Sequence, residues 1–231
     1  MKRFWTDVSV GQETGGWSIA LDGRPVRTPA RASLVVPNKA LAEAIAGEWR
    51  DVEGEIDPRA MPLTGLANAA IDRVAPDKDT FATGLARYAE ADLVCYRADN
   101  PDGLVERQAE SWDALLGWAR RRFDVDFVTT SGVAHVEQPT ATVERLAHAV
   151  ASLDAFRLAG LSPLVTIGGS LIAALAVLEK AITPDEAWQA VSLDERWQLE
   201  QWGADSEAEA ALDNRRRDFL AAARFLELLE T

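Results

Sequence analysis

Trp17-Ser-Ile-Ala-Leu-Asp-Gly-Arg-Pro-Val-Arg-Thr28 is the stretch whose reading decides the fold of the first third of the chain. Trp17, Ile19 and Leu21 alternate with Ser18 and Ala20, the period of two expected of a half-buried strand. Asp22-Gly23 then supplies turn chemistry, because Asp tolerates the start of a tight turn and Gly accepts positive φ. Val26–Thr28 resumes as a strand, and so does Ser33–Val36, with Pro29 and Pro37 at strand ends rather than interiors. Upstream, Phe4–Val10 shows the same alternation. Together these segments predict a small antiparallel sheet.

Beyond it the period changes to that of helices. Asn38 is placed to cap a helix carrying Leu41, Ala44, Ile45, Glu48 and Trp49 on one face. A loop with Asp57, Pro58 and Pro62 separates it from a second helix over Leu63–Val74, stopped before Pro76. Further helices are predicted over Asp79–Leu93, Glu106–Phe123, Thr140–Leu153, Asp154–Lys180, Pro184–Trp202 and about Glu207–Leu229. Thr183-Pro184-Asp185-Glu186 combines a cap, a first-turn proline and acids at the positive end of the helix dipole. Gly203 marks a C-terminal stop after Trp202. Asp124–Val136 breaks the pattern and reads as a hairpin or an extended excursion. The expected fold is α+β, with an N-terminal sheet-and-helix domain over 1–75 and a larger, all-helical domain over 76–231.

The 231 residues are 48% hydrophobic, enough for one large core or two small ones. A net charge of -13 argues against nucleic acid and against an anionic membrane, both of which demand concentrated Lys and Arg. It suits a basic patch on a protein partner. The longest apolar run, Leu158–Leu178, is interrupted by Ser162, Pro163, Thr166, Gly168, Gly169 and Ser170, so a buried helix is expected and no membrane insertion. MKRFW leads straight into strand-like sequence without a signal or transit segment, and the expected location is the cytoplasm. A single cysteine, Cys95, excludes an internal disulfide and a thiolate metal site and fits a reducing compartment.

Little in the chain is arranged for catalysis. His135 and His148 lack metal-ligand spacing, and Cys95 in DLVCYRA reads as a small buried hydrophobe rather than a nucleophile. Gly168-Gly169-Ser170 lacks the lysine of a phosphate loop and reads as a point of close helix approach. Arg24, Arg27 and Arg31 cluster around the hairpin, as solvated charges or as an anion-binding set. Neither a cofactor nor a metal is expected.

Carboxylates are the better candidates. Glu90 and Asp92 form one pair, and Asp194, Glu195 and Glu200 another. On a continuous helix, Trp188, Val191, Glu195, Leu199 and Trp202 share one stripe, and Leu193, Trp197 and Glu200 the next. Acids that interrupt an apolar face are costly unless a cation or donor meets them. Three uses are open: a salt bridge with Arg196 or an arginine of another helix, an exposed binding face, or general acid–base catalysis. Of the eight tryptophans, Trp188, Trp197 and Trp202 fall in one fifteen-residue window, and Trp is favoured where proteins grip one another.

Several stretches taken together resemble a known family. They are FW-x-D-V-x-V at Phe4–Val10, LDGRPVRTPAR at Leu21–Arg31 and IDP-x-x-MPLT-x-LANAAIDRV at Ile56–Val74. YAEADL at Tyr88–Leu93 with CYRA at Cys95–Ala98 adds to them, as do LDERWQLEQWGAD at Leu193–Asp205 and RRRDFLAAARFL at Arg215–Leu226. The pattern is similar to the Atp-twelve family, the assembly chaperones of the F(1) sector of ATP synthase in mitochondria and alphaproteobacteria. Gly65 departs from it, standing where that family has a larger residue, often Arg.

The resemblance implies a non-enzymatic assembly chaperone that holds the unassembled ATP synthase alpha subunit until it pairs with beta. It also implies that an important acid lies in the LDERWQLE helix. The expected client-binding residues are Glu195, Glu200, Trp197, Trp202 and Asp205, on a protein that works as a monomer. The rival is a small-molecule hydrolase or lyase using a carboxylate of Leu193–Asp205.

Overall fold

The computed structural model describes residues 2–132, 134–203 and 206–231. The fold is α+β, a small antiparallel sheet near the N-terminus followed by helices. Strands β1 (Val8–Glu13) and β2 (Gly16–Leu21) pair from Val8↔Leu21 to Glu13↔Gly16. On the other edge of β2, Leu21 pairs Arg24 of β3 (Arg24–Pro25), and Trp17 pairs Val36 of β4 (Val35–Val36). Asp22 and Gly23 turn the chain with φ of 48° and 76°, two successive left-handed residues as a tight hairpin requires. Gly16 allows β4 to come close, because a Cβ there would sit 2.2 Å from the carbonyl oxygen of Val36.

The chain forms two compact units. The first comprises the stretch up to Lys78 together with Asp154–Gly160 and Arg224–Thr231. Its core joins Ile19, Leu34 and Val36 of the sheet region to Leu41 and Ile45 of α1 (Lys39–Arg50), all at 0% exposure. Phe225 and Leu228 complete it from the end of the C-terminal helix. Each such side chain removed from water contributes about 1.5–3 kcal/mol. Asn38 caps α1 by accepting from Leu41 N at 2.9 Å, and its amide donates to Leu228 O.

Glu48, which the sequence places on the apolar face of α1, is half-buried for a reason. It accepts from the backbone N–H of Leu63 and Thr64 and from the Thr64 hydroxyl, satisfying the orphan donors at the start of α2 (Pro62–Ala69). The helical path continues through Val74 as a wider π turn rather than a regular α-helix.

The second unit comprises Asp79–Leu153 and Leu161–Ala223. Its helices are α3 (Lys78–Ala86), α4 (Asp102–Phe123), α5 (Thr140–Ala151), α6 (Ala155–Gly168), α7 (Leu171–Leu178), α8 (Pro184–Val191), α9 (Leu193–Trp202) and α10 (Ser206–Leu229); α3 begins at the last residue of the first unit, and parts of α6 and α10 belong to that unit. Trp112 of α4 is fully buried and donates from Nε1 to Ala190 O at 2.8 Å. Every residue from Leu171 to Val177 is buried. Thr183 and Glu186 form a reciprocal capping box at the start of α8.

Other predicted elements differ as well, among them Asp79–Leu93, whose α-helix ends at Ala86 and continues as a 3-10 turn to Glu90. Asp154–Lys180 is two helices, not one: Gly169 takes φ +67°, and Ser170 caps α7 by accepting from Ala173 N. Gly168 is the point of close approach, where a Cβ would meet Val191 and Phe219 at 3.3–3.4 Å. Pro184–Trp202 also breaks, at Ser192, whose hydroxyl donates to Trp188 O at 2.6 Å. Of the two forms expected for Asp124–Val136, the described residues take the excursion rather than the hairpin. There the short strand β6 (Thr130–Ser131) pairs in parallel with β5 (Tyr96–Arg97).

Candidate partner-binding face

Helix α9 carries the acids and tryptophans singled out from the sequence, and none of its ten residues is buried. The break at Ser192 separates what a continuous helix would align. Trp188 lies in the core with its ring 5.5 Å from that of Phe219, whereas Trp202 at the far end of α9 is 80% exposed. Gly203, at φ +87°, ends the helix and donates to Leu199 O.

Each acid of α9 faces a group from another helix. Asp194 accepts from Gln108 Nε2 of α4 at 2.7 Å, and burial raises its pKa. Glu195 accepts from Arg215 of α10 at 2.9 Å, with both side chains a little under half exposed. Glu200 accepts from Arg107 of α4 at 2.6 Å. The Arg107 guanidinium also lies 4.7 Å from the centroid of the Trp197 ring. That ring packs on Gly103, where an added Cβ would fall 2.9 Å from Trp197 Cη2. Arg196 turns away from these acids and bonds Gln189 instead. Asp205, the fifth residue expected at the site, lies outside the described residues.

Between α9 and the first turns of α10 runs an open groove of ≈ 390 Å³. Leu199, Trp202, Ala208, Ala211 and Leu212 give it an apolar lining, and the Glu195–Arg215 pair lies at its edge. The structure thus brings Glu195 and Trp202 to one groove and places Glu200 with Trp197 against Arg107. Sequence reading missed Arg107 and Gln108, which nothing in α4's own pattern marks as partners of α9.

The other carboxylate pair does not form a site. Asp92 is fully buried and serves as a cap. Its oxygens accept from Val94 N and Ile172 N, and the hydroxyl of Ser170 donates to it. Desolvation nonetheless raises its pKa to about 6. Cys95 is buried and its thiol is pushed up to about 12 by burial, so it carries no thiolate at neutral pH. Among the described residues no group of His, Cys, Asp and Glu is arranged to hold a metal, and no helix is long and apolar enough to cross a membrane.

An exposed tryptophan beside an apolar groove, edged by one arginine–carboxylate pair, has the composition of a surface that grips another protein. The class is therefore an α+β protein with an exposed aromatic and an open apolar groove on its helical unit.

Known proteins agree with that class. A family profile described as ATP12 chaperone protein matches residues 2–120. Atp12 from Paracoccus denitrificans is 45% identical, with a TM-score of 0.94 over 99% of this chain and 98% of that one. The Atu1473 protein from Agrobacterium tumefaciens is 40% identical, with a TM-score of 0.94 over 99% and 86% of the two chains. The mitochondrial protein atp12 of Schizosaccharomyces pombe is 26% identical over 216 residues, 88% of this chain and 74% of the yeast protein. The chain belongs to the ATP12 chaperone family, and it is a chaperone.

Proposed function

We propose that the protein assists ATP synthase assembly by holding the unassembled alpha subunit, without catalysis, until that subunit pairs with beta. The observation that carries this reading is Trp202, exposed at 80% beside the apolar groove of α9 and α10. An aromatic side chain is left in water at a cost, and a client side chain entering the groove would recover that burial. Glu195, Glu200 and Trp197 flank it as client-binding residues, and Asp205 is assigned to the same face from the family pattern. The arginine partners of both glutamates are half exposed, so a basic client can exchange for them at little expense.

Such a holdase uses neither nucleotide nor nucleophile, acts as a monomer and meets its client in the bacterial cytoplasm. A carboxylate hydrolase is the poorer fit, because general acid–base work needs one carboxylate held unlike its neighbour. Glu195 and Glu200 are both paired with arginine, and Asp194, whose pKa burial raises, is bonded to Gln108 and does not line the groove. The test is light scattering of purified alpha subunit at an aggregating temperature, without nucleotide, with equimolar chaperone or its Trp202→Ala variant. Suppression by the parent and its loss in the variant are expected. Equal suppression by both would remove the groove from the reading.

A further inference from the structure

The family reading leaves the arginines of the hairpin region without a task. In a chain of net charge -13, Arg24, Arg27 and Arg31 lie within eight residues and all three are exposed. Elsewhere most arginines are spent on carboxylates, as in the pairs of Arg97, Arg107, Arg145, Arg157 and Arg215. Among the described residues, none of the three hairpin arginines forms an ion pair.

The acids nearest in the chain and in space are already used. Asp22 accepts from the backbone N–H of Thr6 and Asp7. Asp72 divides its two oxygens between the Thr28 hydroxyl, at 2.7 Å, and Ala30 N, at 3.0 Å. Those bonds fix the loop, and the Asp22 carboxylate also feels the charge of Arg24. Arg31 N donates to Thr28 O, Ala32 N donates to Thr28 Oγ1, and Arg27 Nη1 donates to Arg31 O at 3.0 Å. Arg31 itself is held at φ +69°, a left-handed conformation that a long side chain adopts at a cost. The loop is therefore braced, and its three guanidinium groups are exposed to solvent without a close ion pair among the described residues.

We propose that this arginine loop of the first unit is a second docking surface, for a short acidic segment of a partner protein. Exposed guanidinium groups recognise carboxylates through paired hydrogen bonds. Length selects among anions. A nucleic acid or an anionic membrane extends far beyond three arginines and meets the repulsion of an acidic surface. A short segment stays within one screening length of about 8 Å at physiological salt and feels the loop alone. This inference stands apart from the α9 groove: either surface can fail its test without the other.

Fluorescence anisotropy with a labelled oligoglutamate peptide tests it, on the whole protein. Arg31→Gly removes the charge and suits the left-handed backbone, so its thermal midpoint should equal or exceed that of the parent. Binding of the peptide should weaken about tenfold or more in Arg31→Gly and in Arg24→Gln, and weaken less in Arg31→Lys, which keeps the charge but not the paired hydrogen bonds, with the affinity falling as salt rises. No binding by the parent, undiminished binding by the two neutral variants, or tighter binding of an RNA oligomer or anionic vesicle of matched charge would each overturn the proposal.

Discussion

Arg107 donates to Glu200 across 2.6 Å while its guanidinium lies over the ring of Trp197, so one α4 side chain holds both an acid and an aromatic of α9. Both charged side chains are about half exposed, and such a pair contributes about 0–1 kcal/mol. Glu200→Gln should therefore leave the thermal midpoint nearly unchanged. Glu200→Lys sets a second cation against Arg107 and should abolish suppression of alpha-subunit aggregation while the far-ultraviolet circular dichroism stays that of the parent. Full suppression by Glu200→Lys would show that this acid does not face the client.

Glu195 and Arg215 allow a sharper separation of structural from functional roles. If the 2.9 Å bond between them matters only to the fold, exchanging the charges should restore whatever Glu195→Arg loses. A client-facing glutamate predicts otherwise. Glu195→Arg combined with Arg215→Glu should regain thermal stability yet stay defective in holding the alpha subunit. Recovery of both properties in the exchanged protein would assign the pair to the fold alone.

The same contrast shows what the sequence could and could not reveal. Asn38 and the Thr183–Glu186 box cap through neighbours in the chain, and Asp22-Gly23 turns the chain by its own backbone, so each was legible from local sequence. The break at Ser192 carries neither Pro nor Gly, so a helical period ran through it unmarked and set Trp188 and Trp202 on one stripe. Tertiary packing distinguishes them: Trp188 sits against Phe219, and Trp202 stands in water. Asp92 was hidden for a related reason, since a cap whose partner, Ile172, lies 80 positions away leaves no periodic signal.

Tryptophans alike in sequence should differ sharply when removed. Trp202→Ala deletes a side chain that is 80% exposed and should change unfolding free energy by about 0.5 kcal/mol or less. Trp112→Ala empties a fully buried site and orphans the Ala190 carbonyl that accepts from its Nε1, so about 3–5 kcal/mol should be lost. Urea unfolding of both variants checks the pair. A large loss in Trp202→Ala would mean that its ring is packed in solution, and the groove would no longer be an open face.

Asp92 gives the chain a defined pH dependence. Its folded pKa of about 6 stands above the ordinary 3.8 because burial penalises the carboxylate more than its hydrogen bonds favour it. The folded state therefore binds this proton more tightly than the unfolded state does. By linkage, its contribution to stability is greatest below about pH 4, falls as pH rises towards 6, and is flat above that, a total of roughly 2–3 kcal/mol. Glu48 and Asp194, both raised by burial, add to the slope in the same direction, so the effect of Asp92 must be read as a difference. Asp92→Asn keeps an oxygen to accept from the backbone at the start of α7 but cannot ionise. Subtracting its stability curve from that of the parent, measured by urea unfolding between pH 4 and 8, should leave a fall confined to pH 4–6 and a level difference beyond. A difference curve flat across the whole range would mean that Asp92 is as readily ionised when folded as when unfolded, its hydrogen bonds from Ser170, Val94 and Ile172 fully offsetting its burial.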